Sequence, residues 1–174
     1  MDNFYTMSLA YTRDVIIETP IHSQVKYEFD YVTNRLRVDR ILDNTNVFPW
    51  NYGFVPNTMS GNNRPLGVFV LCNHALIPGS TAHARILGGI AIQDERGSSH
   101  QLVAVLVNDP DFTCYNRIQN IPPPYTQKIK YFLEHYHEDQ KSNFIYVDSA
   151  FYDHACAHEI VDRYTSGPVI DEVD

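Results

Sequence analysis

The chain has 174 residues, 44% apolar and 20% charged, the balance of an ordinary globular protein. At this length about 70% of the unfolded surface is buried on folding, so the core needs neither a disulfide nor a metal to form. Thirteen Lys and Arg against 21 Asp and Glu give a net charge of -8, which argues against general nucleic-acid binding, a task that needs a basic face.

In chain order, Val15 to Glu18 reads as a strand, broken by Thr19-Pro20. Val25 to Asp30 and Leu36 to Leu42 alternate, with turn chemistry at Thr33-Asn34 between them, which predicts a hairpin. Phe48 to Pro56 is aromatic and punctuated by proline, so it reads as ordered loop and short strand. Val68 to Leu71 and Thr81 to Ile92 are strand-like, joined through a turn at Pro78-Gly79, and Leu102 to Val107 is a short buried strand. The pattern then changes period. Ile129, Phe132, Leu133 and Tyr136 share one helical face, and Pro122-Pro123-Pro124 stops anything before it. Phe144 to Val147 reads as a strand. Ala150, Ala157, Val161 and Tyr164 predict a second helix, closed by Gly167-Pro168. Strands first and helices last is an α+β order, with a small barrel or curled sheet at its centre. One domain over residues 1–174 is expected, with about 1–14 and 167–174 as peripheral termini.

Cys72, Cys114 and Cys156 are too few and too far apart for a disulfide framework or a metal pair, so the cytoplasm or another reducing soluble compartment is expected. The first residues, Met1 to Tyr5, lack signal-peptide character, and no apolar run nears the ~20 residues that span a bilayer, so no membrane partner is expected. His154 and His158 lie four apart beside Asp153 and Glu159, a weak zinc pattern with no third ligand; His135 and His137 would point apart on a helix. No Gly-rich phosphate loop, GxSxG or Cys–His nucleophile pattern occurs.

Several motifs occur in a fixed order: Glu18-Thr19-Pro20, Lys26-Tyr27-Glu28-Phe29-Asp30, Val38-Asp39-Arg40, Phe48 to Pro56 with Asn51-Tyr52-Gly53 at its centre, Pro78-Gly79-Ser80, Asp94-Glu95-Arg96-Gly97 and Glu134-His135-Tyr136. From about Val15 to Tyr164 this series resembles the family I soluble inorganic pyrophosphatases. The resemblance implies a five-stranded, OB-like barrel flanked by helices, with the active site in the barrel mouth. It also implies several magnesium ions that bind pyrophosphate and activate a bridging water. Such a centre must offset the charge of pyrophosphate and of the attacking hydroxide, and magnesium wants oxygen ligands, so carboxylates are needed.

Those carboxylates are mostly missing. Where the family has D-G-D-P-x-D, this chain has Asn62-Asn63-Arg64-Pro65-Leu66-Gly67. Where it has D-E-x-G-x-D-x-K, the chain keeps Asp94 but has Ser99 for the second Asp and Gln101 for the Lys; the helical Y-K pair is Tyr136-His137. Asn62 and Ser99 offer only neutral oxygens to a metal, and Gly67 offers no side chain. Residual catalytic positions are Glu18, Glu28 and Asp94. The phosphate-contacting set implied by the resemblance is Lys26, Arg40, Tyr52 and Tyr136, to which Arg64 adds a guanidinium that attracts phosphate and repels magnesium. The competing reading is structural: a solvated Arg64, tyrosines in the core, and cations paired to Glu18, Glu28 or Asp94. The expected protein is a pyrophosphatase homologue with a degenerate metal centre and little or no activity, acting as a phosphoanion-binding or scaffold protein. No cofactor is expected to be required, with magnesium serving only residual activity. Its expected ligand is pyrophosphate, phosphate or a phosphorylated group, and it is expected to form a homo-oligomer or a subunit of an assembly. The alternative is an active magnesium-dependent pyrophosphatase with a reduced metal site, and a third reading is a purely structural barrel.

Overall fold

The computed structural model describes residues 11–43, 46–136 and 145–165. Its strands are β1 (Thr12–Thr19), β2 (Val25–Asp30), β3 (Arg35–Ile41), β4 (Asn51–Phe54), β5 (Gly67–Leu71), β6 (Thr81–Asp94), β7 (Gly97–Leu106), β8 (Tyr146–Val147) and β9 (Tyr152–Asp153). Its helices are α1 (Pro123–His135) and α2 (His154–Tyr164), preceded by a 3-10 turn at Ile118–Asn120.

Five strands close on themselves. The order runs β1-β4-β5-β7-β6, and β6 pairs back onto β1 through Asp14↔His83 and its neighbours. Closure leaves no free edge in the barrel. All pairings are antiparallel except β5 with β7, where Val68 lies opposite Leu102. Irregularities between Ile17 and Thr19 in β1, and between Ile86 and Gly88 in β6, bend the strands that must curl most. β8 and β9 are short additions to β6. This is the OB-like α+β fold that the resemblance implies.

The apolar runs are continuous because both faces of the sheet are covered. Phe69, Leu71, Val103 and Val105 pack with Ile129, Phe132 and Leu133 of α1. Their neighbours Val68, Val70, Leu102 and Ala104 pack with Ala157, Ile160 and Val161 of α2. Hence Gly67–Leu71 is buried at every position, as a strand sandwiched on both sides must be. The proline run opens α1 rather than merely preceding it, since Pro123 and Pro124 occupy its first turn, where a missing N–H costs nothing. α2 opens on Asp153, whose Oδ1 accepts the Cys156 N–H at 3.0 Å. Among the described residues no helix is long and apolar enough to cross a membrane.

Two local devices position the mouth of the barrel. Gly53 lies where any Cβ would run into the Ile16 carbonyl, so β4 can approach β1 only with glycine there. Asn51 is fully buried. Its Oδ1 accepts from the Ile21 and Leu76 amides, and its Nδ2 donates to the His74 carbonyl, tying two loops to β4. The hairpin β2–β3 forms its own two-stranded sheet against β1 and carries charged residues over the opening. Its turn uses Asp30, which accepts the Val32 and Thr33 amides, and Asn34 at φ 54°.

Strand and helix positions read from the sequence differ from these mainly in length. β1 begins at Thr12, β7 spans ten residues, and α2 begins at His154, four residues after Ala150. Tyr152–Asp153 was not expected as a strand. Phe144 and Gly167-Pro168 lie outside the described residues.

Candidate functional site

A cavity of about 590 Å³ opens between the hairpin and the barrel mouth. Glu18, Lys26, Glu28, Arg40, Tyr52, Asn62, Arg64, Gly67, Asp94, Ser99 and Tyr136 all line it. They come from β1, the hairpin, β4, the loop before β5, the facing ends of β6 and β7, and the end of α1. His137 lies outside the described residues.

The cations sit on one side. Lys26 donates to Asp39 at 2.9 Å, and its Nζ lies 6.0 Å from the centre of the Tyr136 ring. Arg40 stacks over the same ring at 5.2 Å, and Tyr136 in turn stacks on Phe132. The Nε and Nη1 of Arg40 are shut off from solvent, and neither has a hydrogen-bond partner among the described residues. Such donors are rare and ask for a ligand or ion. Arg64 reaches across to Glu28 at 3.3 Å; both side chains are about two-fifths exposed (44% and 41%), so the pair can open to admit an anion. The pairing with Glu28 is one the structural reading named, and Arg64 stays partly solvated.

The acids behave differently from one another. Glu18 is 8% exposed and accepts the Phe29 N–H at 3.0 Å. Burial raises its pKa to about 7; Glu28 adds to the rise, and the Phe29 amide, Lys26 and Arg64 oppose it. Burial also pushes Asp39 upward, but the hydrogen bond and charge of Lys26, with Arg40 and Arg64, outweigh it and hold the carboxyl below its ordinary value. Asp94 accepts the Arg96 amide at 2.8 Å within its own turn. Thus only Glu28 of the three residual acids is paired to a site cation. Asp39, which forms the tightest ion pair here, was given no role by sequence reasoning, although Val38-Asp39-Arg40 contained it.

The positions where the resemblance implies aspartates have contacts of their own. The Asn62 oxygen accepts from the Ser60 hydroxyl at 2.6 Å and from the Arg64 amide at 3.1 Å, so it closes its own loop. Ser99 is buried 3.5 Å from Ser60. A Cβ on Gly67 would run into the Tyr52 hydroxyl and the Gln101 amide oxygen. The Gln101 amide oxygen is shut off from solvent there without a hydrogen-bond partner among the described residues, and burial, with Glu18 and Tyr136 nearby, pushes the Tyr52 phenol up. At Gly67 a side chain of any kind would have to displace one of these two groups.

The histidines of α2 are elsewhere. His154 and His158 both meet the Tyr11 ring edge-on, at 5.0 and 4.9 Å, and His158 lies between Arg13 and Asp162. Among the described residues, no group of three or more His, Cys, Asp or Glu could hold a metal ion.

A family model for inorganic pyrophosphatase matches residues 15–166. The chain belongs to the inorganic pyrophosphatase family. It is 39% identical over 134 residues to an inorganic pyrophosphatase of Saccharolobus solfataricus, covering 76% of this chain and 78% of that one. It is 37% identical over 152 residues to that of Aeropyrum pernix, covering 86% of each. It spans only 59% of the longer soluble inorganic pyrophosphatase of Zea mays. Among solved structures, the inorganic pyrophosphatase of Helicobacter pylori superposes with a TM-score of 0.85 at 32% identity, over 90% of this chain and 92% of that chain.

Membership corrects the expectation that no cofactor is required, because inorganic pyrophosphatases require magnesium. The residues present do not fit a protein-held magnesium cluster. Magnesium wants octahedral oxygen, and here Asp94, Glu18 and Glu28 are the acids left at the family positions, one of them buried with a raised pKa and another paired with Arg64.

Proposed function

We propose that this member of the family binds pyrophosphate or a related phosphoanion in the barrel mouth, and that its hydrolysis is slow or lost. The observation that carries the reading is the pair of sequestered, unpartnered Arg40 donors beside the cavity. Lys26, Arg64 and the hydroxyls of Tyr52 and Tyr136 line the same cavity, and charge-assisted hydrogen bonds from such groups are the strong ones. Hydrolysis in the family manner needs a metal-activated water, and the carboxylates for it are replaced by Asn62, Arg64, Gly67 and Ser99.

Active hydrolysis is the second reading. Relatives at 35–39% identity named inorganic pyrophosphatase speak for it, and so does Glu18, whose pKa near 7 suits a general base at neutral pH. One experiment separates the two: phosphate release from pyrophosphate with magnesium or manganese, alongside calorimetric titration of pyrophosphate under the same conditions. Binding with turnover below about 1 per second supports the first reading; turnover within the ordinary enzyme range of about 1–1000 per second supports the second. No binding at millimolar pyrophosphate removes both.

A further inference from the structure

We propose that the pocket is built for a phosphate ester carrying a flat ring, of the nucleoside phosphate class, with the phosphoryl end on Arg40 and Lys26 and the ring against Tyr31. The inference rests on the phosphoanion reading above and goes beyond it by naming the ligand class.

Size is the first argument. Pyrophosphate has seven oxygens; even at about 30 Å³ apiece, the share a water takes in the liquid, it occupies roughly 200 Å³. The cavity holds about 590 Å³, within the range of pockets for small organic ligands. The lining is not all charged: Phe29, Tyr31, Val32, Val38 and Phe54 belong to it beside the acids and cations.

The second argument is exposure. Eight large apolar side chains are exposed among the described residues, and Tyr31, Val32 and Val38, three of the eight, line this one cavity. Tyr31 is 54% exposed, yet its ring is held edge-on by Phe29 at 5.5 Å and by Phe54 at 5.4 Å. An aromatic ring braced from behind and open in front is a stacking platform. Its hydroxyl end lies within electrostatic reach of Glu18, Glu28 and Arg64, so the ring adjoins the charged part of the pocket.

Charge is the third. Lys26, Arg37, Arg40, Arg64 and Arg96 face Glu18, Glu28, Asp30, Asp39 and Asp94 around the cavity, five cations against five acids, one of which titrates near neutrality. A wall so nearly balanced suits a ligand that gains part of its affinity from apolar contact more than a small, highly charged anion.

Calorimetric titrations with adenosine monophosphate, ribose 5-phosphate and pyrophosphate, in one magnesium buffer at fixed ionic strength, test the idea. Adenosine monophosphate should bind about tenfold tighter than ribose 5-phosphate, the gain expected for one stacked base. Tyr31→Ala, at an exposed position, should bring adenosine monophosphate down to the ribose 5-phosphate level, and Tyr31→Phe should keep the advantage. Pyrophosphate binding without any preference for adenosine monophosphate over ribose 5-phosphate, or a preference that survives Tyr31→Ala, overturns this inference and leaves the phosphoanion reading standing. Failure of all three ligands at millimolar concentration overturns both.

Discussion

Glu18→Gln should stabilise the protein in alkaline solution and leave it unchanged in acid. In the unfolded chain this carboxyl titrates near 4.5, and in the fold burial lifts it to about 7, with Glu28 adding and the Phe29 amide, Lys26 and Arg64 opposing. A raised carboxyl pKa means that the unfolded state gives up its proton first. Below about pH 4 both states are protonated and Glu18 has no effect. Between 4.5 and 7 ionisation favours the unfolded chain by about 1.4 kcal/mol for each pH unit, and above 7 the loss levels off at about 3 kcal/mol. Glutamine keeps an oxygen for the Phe29 N–H and cannot ionise. The variant should therefore melt about 6–12 °C above the parent at pH 8.5, taking about 2–4 °C per kcal/mol for a domain of this size, and together with the parent at pH 4. Thermal unfolding of both proteins at pH 4, 6 and 8.5 is the assay. A difference that does not grow with pH, or a variant less stable at pH 8.5, would refute the reasoning. The same titration should act on binding: the parent's affinity for pyrophosphate should weaken above pH 7, as ionised Glu18 repels the anion, and the variant's should lack that step.

Three other outcomes are expected. Gly67→Asp alone should cost about 1–3 kcal/mol in urea unfolding, because the new carboxylate collides with Tyr52 and Gln101, and Gln101→Ala added to it should recover part of the loss. Arg64→Ala should change stability by less than about 1 kcal/mol, since its pair with Glu28 is half exposed, while pyrophosphate affinity measured by calorimetry falls roughly tenfold or more. Asn51→Ala should cost about 2–4 kcal/mol by the same unfolding assay, because it strands a buried amide, a part-buried amide and a carbonyl at once.

Much of the fold is legible in the chain because local signals and tertiary demands agree. Val25 to Asp30 alternates and is half-buried along its length, and Thr33-Asn34 marks a turn whose Asn34 takes a positive φ. The face of Ile129, Phe132 and Leu133 is the buried face of α1. Length was harder to read. β7 looked like a six-residue apolar run because its first half, Gly97 to Gln101, is polar; it is a strand because it pairs with the long β6, a non-local fact. β9 is two residues paired to Gly88 and Gly89, and no periodicity exists at that length.

The site was legible by identity and not by partnership. Motif order picked out residues that do line one cavity, but a side chain's partner in three dimensions is set by the crossing of elements, so Lys26 could be named while Asp39 as its counter-ion could not. The departures from the pattern the resemblance implies show the difference most clearly. Counted along the chain, Asn62, Arg64, Gly67, Ser99 and Gln101 are five separate departures. In space they are coupled: Gly67 makes room for the Tyr52–Gln101 contact, Ser99 meets Ser60, Ser60 bonds Asn62, and Asn62 holds the amide of Arg64, whose guanidinium neutralises Glu28. Glu28 is paired, while Arg40 alone among the site's cations keeps sequestered donors without a partner among the described residues. An anion would satisfy those donors, which is the ground for the phosphoanion reading proposed above.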